Sequence, residues 1–223
     1  IQLAKENCID GGVLRAGDAV NFSIGQGDTV ITPLKLTQAY AAVGNGGTIW
    51  QPLVAKAIVK TDGTVLKTFT PKVQGKVDAK AKTFAWLNDA LHQVTISGTA
   101  AGAFAGFPVK ISGKTGTGEV FGLNSNGTKK NSTSWFASYG PTDDPQYAVV
   151  VMVSQGGTGA AAAGVGARQI YNTIFGAVGN KQVPEQIVYP SGPPTKLPKI
   201  SPTTKVVDAT PSPTPTASKK VVK

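Results

Sequence analysis

Residues 111–120, ISGKTGTGEV, set Lys114 between glycine-rich steps with hydroxyls on either side. The stretch follows the apolar run Phe107-Pro108-Val109-Lys110-Ile111, and the pattern predicts a strand over Phe107–Ser112 that leads into the lysine. A lysine at a strand end beside glycine puts a charge next to accessible backbone. Thr115 and Thr117 add hydroxyls, and Gly116 lets a second backbone approach closely because it carries no Cβ. Together these groups can grip a carboxylate and aim N–H donors at a developing oxyanion. A bare Lys-Thr-Gly tripeptide is most often a lysine on a tight polar turn, so the surroundings decide between the two readings.

Downstream, Trp135–Tyr139 and Tyr147–Val153 read as strands joined by Pro141-Thr142-Asp143-Asp144-Pro145, a turn-rich connection. A helix follows from about Gly166, with Ile170, Ile174 and Phe175 on one face, and fades at Gly176. Upstream, Thr32 and Pro33 are a helix start, a hydroxyl cap and then proline at the first position. Leu36, Tyr40 and Val43 share its face, and Gly44-Asn45-Gly46-Gly47 stops it. A second helix is predicted over Thr83–Ile96 from the spacing of Phe84, Leu87, Leu91 and Val94. Val54–Val59 and Val65–Phe69 flank Asp62-Gly63, a hairpin signal. Antiparallel strands with packing helices make an α+β fold.

The chain has 223 residues, enough to bury a sizeable core. Composition shifts near residue 180. Nine of the 15 prolines lie at or after Pro184, and seven Lys against two acidic residues from Lys181 onward give +5 of the net +10. The expected organisation is a folded body over 1–180 and a disordered Pro/Thr/Ser/Lys-rich tail over 181–223. The basic residues are scattered and aromatics are few, which argues against nucleic acid as a partner. One cysteine, Cys8, excludes an internal disulfide and a Cys-based cluster, and the single His92 argues against a zinc enzyme. No metal or cofactor is expected. No run approaches the 18 apolar residues of a spanning helix. The opening Ile1-Gln2-Leu3 is not a natural initiation, so the chain is expected to be the later part of a longer protein.

The long stretch NFSIGQGDTVITPLKLTQAYAAVGNGGTIWQPLV (Asn21–Val54) resembles a characteristic segment of penicillin-binding protein transpeptidase domains. VTISGTA (Val94–Ala100), KISGKTGTGEV (Lys110–Val120) and STSWFASYGPTDDPQYAVVVMV (Ser132–Val153) follow in the family's order, over roughly residues 15–177. The form of the first segment is similar to class B members, especially the elongation type. The resemblance implies the C-terminal part of the serine transpeptidase/β-lactamase-like fold, with antiparallel strands and packing helices. It implies a peptidoglycan D,D-transpeptidase, in which a serine attacks the D-Ala-D-Ala carbonyl, releases D-alanine and passes the acyl group to an amine. Lys114 and Thr115 to Thr117 match the third element of the family signature. By that match Lys114 supplies positive charge and proton-network support. The Thr115 and Thr117 hydroxyls contact the substrate's terminal carboxylate, Gly116 admits the substrate backbone, and the Thr117 N–H is one oxyanion donor.

The other two signature elements are absent. No Ser is followed three residues later by Lys, and no Ser-x-Asn occurs. In the family both lie before the Gly25-Gln26-Gly27 segment, so the nucleophile is expected upstream of residue 1 and this chain alone is expected to be inactive. The implied partners are peptidoglycan stem peptides, β-lactams, the polymerase of the cell-wall elongation machinery and the missing N-terminal part of the same domain. The implied location is the extracytoplasmic face of a bacterial membrane, anchored by an N-terminal segment. Two other functions remain open: a serine β-lactamase or D,D-carboxypeptidase of the same superfamily, and a non-catalytic wall-binding domain.

Further residues carry weaker signals. His92 falls with Asn88 and Thr95, opposite Leu87, Leu91 and Val94, and reads as a solvated helix residue. Ser23 has no identifiable acid–base partner and reads as structural. GGTGAAAAGVGAR (Gly156–Arg168) lacks the Gly-Lys-Ser/Thr of a phosphate loop and is expected to be a flexible turn near the site, feeding the last helix. Trp135 and Phe136 are expected in the core, and Asp143 and Asp144 on a solvated turn.

Overall fold

The computed structural model describes residues 16–27, 30–60, 62–178 and 181–182. The chain divides into two compact units, residues 1–52 with 71–190, and residues 53–70 with 191–223. The described part of the second unit is a hairpin of β2 (Ala57–Val59) and β3 (Val65–Thr68). Its turn is closed as Asp62-Gly63 predicts: Gly63 adopts φ 89°, and the Asp62 carboxylate accepts from the Thr64 N–H at 2.8 Å. Pro52 and Pro71 border this segment.

The first unit is built on a three-stranded antiparallel sheet, β5 (Ser112–Gly118), β6 (Thr133–Gly140) and β7 (Tyr147–Val153). Side chains alternate across it. Phe136, Val149 and Val151 point to one face. There they meet α4 (Ala101–Phe104), a π-helical turn (Ala160–Gly164) and α5 (Val165–Ile174), which contribute Phe104, Ala163, Ala167, Tyr171 and, just beyond α5, Phe175 to one core. Phe136, Tyr171 and Phe175 are fully buried, and the Tyr171 and Phe175 rings stack at 5.8 Å. Tyr139 points to the opposite face, against Gly44 at the end of α2 (Pro33–Gly44). The Thr32 hydroxyl accepts from the Lys35 N–H at the start of α2, the predicted cap. A short ladder of β1 (Thr48–Trp50) with β4 (Val73–Lys76) continues the chain from α2, and Gln38 of α2 donates to the Trp50 carbonyl at 2.7 Å.

Two expectations need correction. Phe107–Ile111 is not a strand; regular pairing starts at Ser112 and carries the whole lysine motif inside β5. Pro108 has no N–H to give a ladder. The Ile111 carbonyl is taken by side chains of α3 (Ala81–Ile96): Thr95 Oγ1 donates to it at 2.7 Å, and His92 Nδ1 lies 3.1 Å away. His92 is therefore not a solvated residue. Its helix turns Asn88, His92 and Thr95 toward the start of β5. Asn88 accepts from Ser112 Oγ (3.1 Å) and from the Tyr139 hydroxyl (2.8 Å), and donates to the Thr142 carbonyl (3.2 Å). The polar side of α3 is an interior face because it satisfies strand and turn groups that water would otherwise reach.

Before α2 stands α1 (Ala16–Ser23), none of whose residues is buried. Lys181–Gln182 (β9) pairs with Ala177–Val178 (β8), so the first two residues of the expected 181–223 tail are paired, and its remainder lies outside the described residues. No helix among the described residues is long and apolar enough to cross a membrane.

Candidate active site

Lys114, Thr115, Gly116 and Thr117 lie on one strand, and β5 pairs with β6 through Lys114↔Ala137, Thr115↔Phe136, Gly116↔Trp135 and Thr117↔Ser134. Among the described residues β5 has no strand on its other side, so it is the edge of the sheet. Backbone groups along an antiparallel strand alternate between the partner and the open edge. The Thr117 carbonyl is turned outward, where it accepts from Gln26 Nε2 at 2.8 Å. The Thr117 N–H faces the same open edge. So do the backbone groups of Thr115, whose carbonyl accepts from Lys114 Nζ at 2.9 Å. Along this edge the outward carbonyls are met by donors, and the outward N–H of Thr117 lies between them. That arrangement offers positive potential to an anion or a developing oxyanion.

The hydroxyls are fixed on the face of Phe136. Thr115 Oγ1 is 2.7 Å from Thr99 Oγ1, in the segment between α3 and α4. Thr117 Oγ1 accepts from the Gly159 N–H at 3.2 Å. A hydroxyl that accepts from a backbone amide keeps its own proton to donate, the form a carboxylate ligand needs.

The glycine-rich connection after β7 is more than a turn. A Cβ on Gly159 would stand 2.7 Å from both the Gly116 and Trp135 carbonyl oxygens and 2.8 Å from the Gly116 nitrogen. Gly159 is thus seated on the strand backbone at the motif's centre, and only hydrogen fits there. Ser134, opposite Thr117 on β6, locks the same connection: its Oγ donates to the Thr158 carbonyl at 2.7 Å and accepts from the Ala163 N–H at 3.0 Å. The segment lies near the site and feeds the last helix as expected, but it is a packed π-helical turn rather than a flexible one. Gln26, Thr99 and Gly159 join the site without having been singled out in the sequence. Thr99 falls inside VTISGTA, a segment that supports the resemblance, but nothing local marks its hydroxyl.

The other candidates stay apart from the motif. Ser23 Oγ donates to the Val20 carbonyl at 2.7 Å, closing its own helix. Asp143 pairs with Lys110 at 2.9 Å with both side chains largely exposed, a surface pair of small energetic weight. Phe136 is core, whereas Trp135 is half-buried on the opposite face beneath Gly116.

Comparisons with known proteins show which family the chain resembles. The family described as Penicillin binding protein transpeptidase domain matches residues 10–176. Peptidoglycan D,D-transpeptidase MrdA of Haemophilus influenzae is 33% identical over 187 residues, covering 76% of this chain and 27% of the relative. The imipenem acyl-enzyme complex of penicillin-binding protein A from M. tuberculosis superposes with TM-score 0.60 at 26% identity, covering 72% of this chain and 35% of that one. A chain from a structure titled "Structural coordination of polymerization and crosslinking by a peptidoglycan synthase complex" gives TM-score 0.64 at 27% identity, over 82% of this chain and 29% of that one. The chain thus spans about a quarter to a third of the length of the relatives it matches. The α+β architecture expected from the sequence is that of these neighbours. This chain belongs to the penicillin-binding protein transpeptidase domain family.

Proposed function

We propose that the chain forms the Lys-Thr-Gly wall of a peptidoglycan D,D-transpeptidase of the elongation type, a penicillin target whose serine nucleophile is supplied from upstream of residue 1. The observation that carries this reading is the edge of β5, where the Thr117 N–H faces outward and the Lys114 ammonium donates to the Thr115 carbonyl on the same edge. In the proposed reaction a serine attacks the carbonyl of the penultimate D-alanine. The tetrahedral oxyanion receives the Thr117 N–H, and the C–N bond to the terminal D-alanine breaks. The acyl group then passes to an amine of a neighbouring stem peptide. Lys114 holds charge against the developing anion and supports the proton network of the nucleophile. Thr115 and Thr117 hold the terminal carboxylate, and Gly116 leaves room for the substrate backbone. No Ser-x-x-K or Ser-x-Asn occurs in the chain, which supports assigning the acylating serine and its base to another segment.

Large apolar side chains on and after α1 are open to solvent, Phe22 at 68% and Ile24 at 70%. Exposed large apolar side chains gathered in one segment suit an interface, and the rest of the same domain is the partner that the reading requires. A polymerase of the elongation machinery and a position on the outer side of a bacterial membrane belong to the same proposal. The neighbour titled as a peptidoglycan synthase complex supports the polymerase.

Incubating the full-length protein with a stem peptide ending in D-Ala-D-Ala and an amine acceptor tests the assignment. The expected result is release of D-alanine with a cross-linked product, blocked by penicillin through a slowly hydrolysed acyl-enzyme. Rapid turnover of penicillin would point to a β-lactamase instead. No D-alanine release and no acylation would reduce the chain to a binding domain.

A further inference from the structure

Gln26 reaches β5 from a remote part of the chain. Its Nε2 donates to the Thr117 carbonyl at 2.8 Å, and its Oε1 accepts from the Glu119 N–H at 3.2 Å. The two bonds straddle Gly118, as a residue on a parallel neighbouring strand would bond to its partner. The side-chain amide therefore completes the strand edge for one step, immediately beyond the Thr117 N–H. It is presented on a tight turn. The Gln26 N–H donates to the Asn21 carbonyl at 2.9 Å, closing α1, and both flanking glycines sit in the left-handed region, at φ 73° each. A residue with a Cβ would be strained at either position.

We propose that Gln26 is a positioning residue for acyl transfer. Its carboxamide fixes the Thr117–Glu119 end of β5, holds the Thr117 N–H in line with the open edge, and limits backbone pairing by an incoming peptide to the steps before Gly118. The inference rests on the transpeptidase reading above and adds to it a residue outside the Lys-Thr-Gly motif. Only a group with one donor and one acceptor on a side chain of this length can make both bonds. Alanine makes neither. A glutamate carboxylate accepts from Glu119 but repels the Thr117 carbonyl, and a protonated glutamic acid restores both bonds.

The test uses the full-length protein with a fluorescent penicillin, comparing second-order acylation rates of wild type, Gln26→Ala and Gln26→Glu from pH 4.5 to 8. Loss of alignment at an oxyanion donor costs on the order of 10- to 100-fold, so Gln26→Ala should slow acylation by that much. Gln26→Glu should be slow at pH 7.5, and its ratio to wild type should climb as pH falls through the carboxyl range, which loss of packing alone would not produce. Amide hydrogen exchange supplies an arm independent of catalysis: Glu119 N–H should be protected in wild type and lose protection in Gln26→Ala. Wild-type acylation rates in Gln26→Ala, or a pH-independent ratio for Gln26→Glu, overturn the positioning role. Unchanged Glu119 exchange overturns the contact. A wild-type protein that penicillin never acylates refutes the transpeptidase reading and the catalytic part of this inference with it, while Glu119 exchange still decides the contact.

Discussion

Gly159 rests directly on the backbone of Gly116, with room for a hydrogen and nothing more: a Cβ would meet the Gly116 oxygen at 2.7 Å and its nitrogen at 2.8 Å. The two glycines lie 43 residues apart, one on β5 and one in the connection after β7. Their contact lets the Gly159 N–H reach the Thr117 hydroxyl. The floor of the site is thus made by two absent side chains, and the position of β5 depends on both.

Gly159→Ala should therefore push β5 away from its connection. Overpacking against rigid backbone costs about 1–3 kcal/mol. For a protein of this size that is a Tm lower by roughly 2–4 °C per kcal/mol, read by calorimetry. Acylation of the full-length variant should fall as well. A variant with wild-type Tm and rate would contradict the close packing.

Lys114→Ala should separate chemistry from stability. The ammonium is exposed and among the described residues bonds only a strand carbonyl, so folding should hardly change. Loss of an electrostatic contact to the transition state costs roughly 100-fold or more in acylation rate. Thr117→Val keeps the backbone donor and should be the milder of the two in rate. It leaves the Gly159 N–H without its hydroxyl acceptor, so it should cost about 1 kcal/mol in stability. Stopped-flow acylation and thermal melts measured on the same variants check both halves.

Asn88→Ala should be costly although Asn88 is remote from the motif. It removes the acceptor of the Tyr139 hydroxyl and one acceptor of Ser112, where β5 begins. Leaving buried polar groups unpaired costs about 1–3 kcal/mol. Thermal denaturation measures it, and a neutral substitution would show that water replaces the amide.

Tyrosine burial predicts the alkaline limit of the fold. Burial pushes the Tyr171 hydroxyl well above its ordinary value of 10.0, and Tyr139 and Tyr40 upward too. Each is neutral in the native state where the unfolded chain would ionise. Stability from these groups is therefore complete below about pH 10 and is lost as pH rises from there through the raised native values. Denaturant melts from pH 8 to 11.5 should show that loss, and Tyr171→Phe should make it shallower.

Local chemistry explains which elements could be read directly. Thr32-Pro33 starts α2 because cap and first turn are decided by adjacent residues, and Asp62-Gly63 closes its hairpin for the same reason. Phe107–Ile111 looks like a strand because it is apolar, yet its Ile111 carbonyl is claimed by side chains 16 and 19 residues earlier in the sequence. His92 looks solvated on a helical wheel because periodicity separates polar from apolar faces but does not say which polar groups must be satisfied. Gln26 and Gly159 enter the site through contacts 91 and 42 residues distant from Thr117, which no local pattern contains. The Lys-Thr-Gly motif itself was legible because its segment order, rather than its three residues, carried the resemblance.

In the proposed function this chain would supply the lysine, the carboxylate hydroxyls and one oxyanion donor, and another segment would supply the nucleophile. Intact mass spectrometry after incubation with a β-lactam tests it most directly, on the isolated 223-residue chain and on the full-length protein. The isolated chain should show no mass increase. The full-length protein should gain one equivalent of β-lactam, mapped to a serine outside residues 1–223. A stoichiometric adduct on the isolated chain, at Ser23, Ser112 or any other serine within it, would contradict the account.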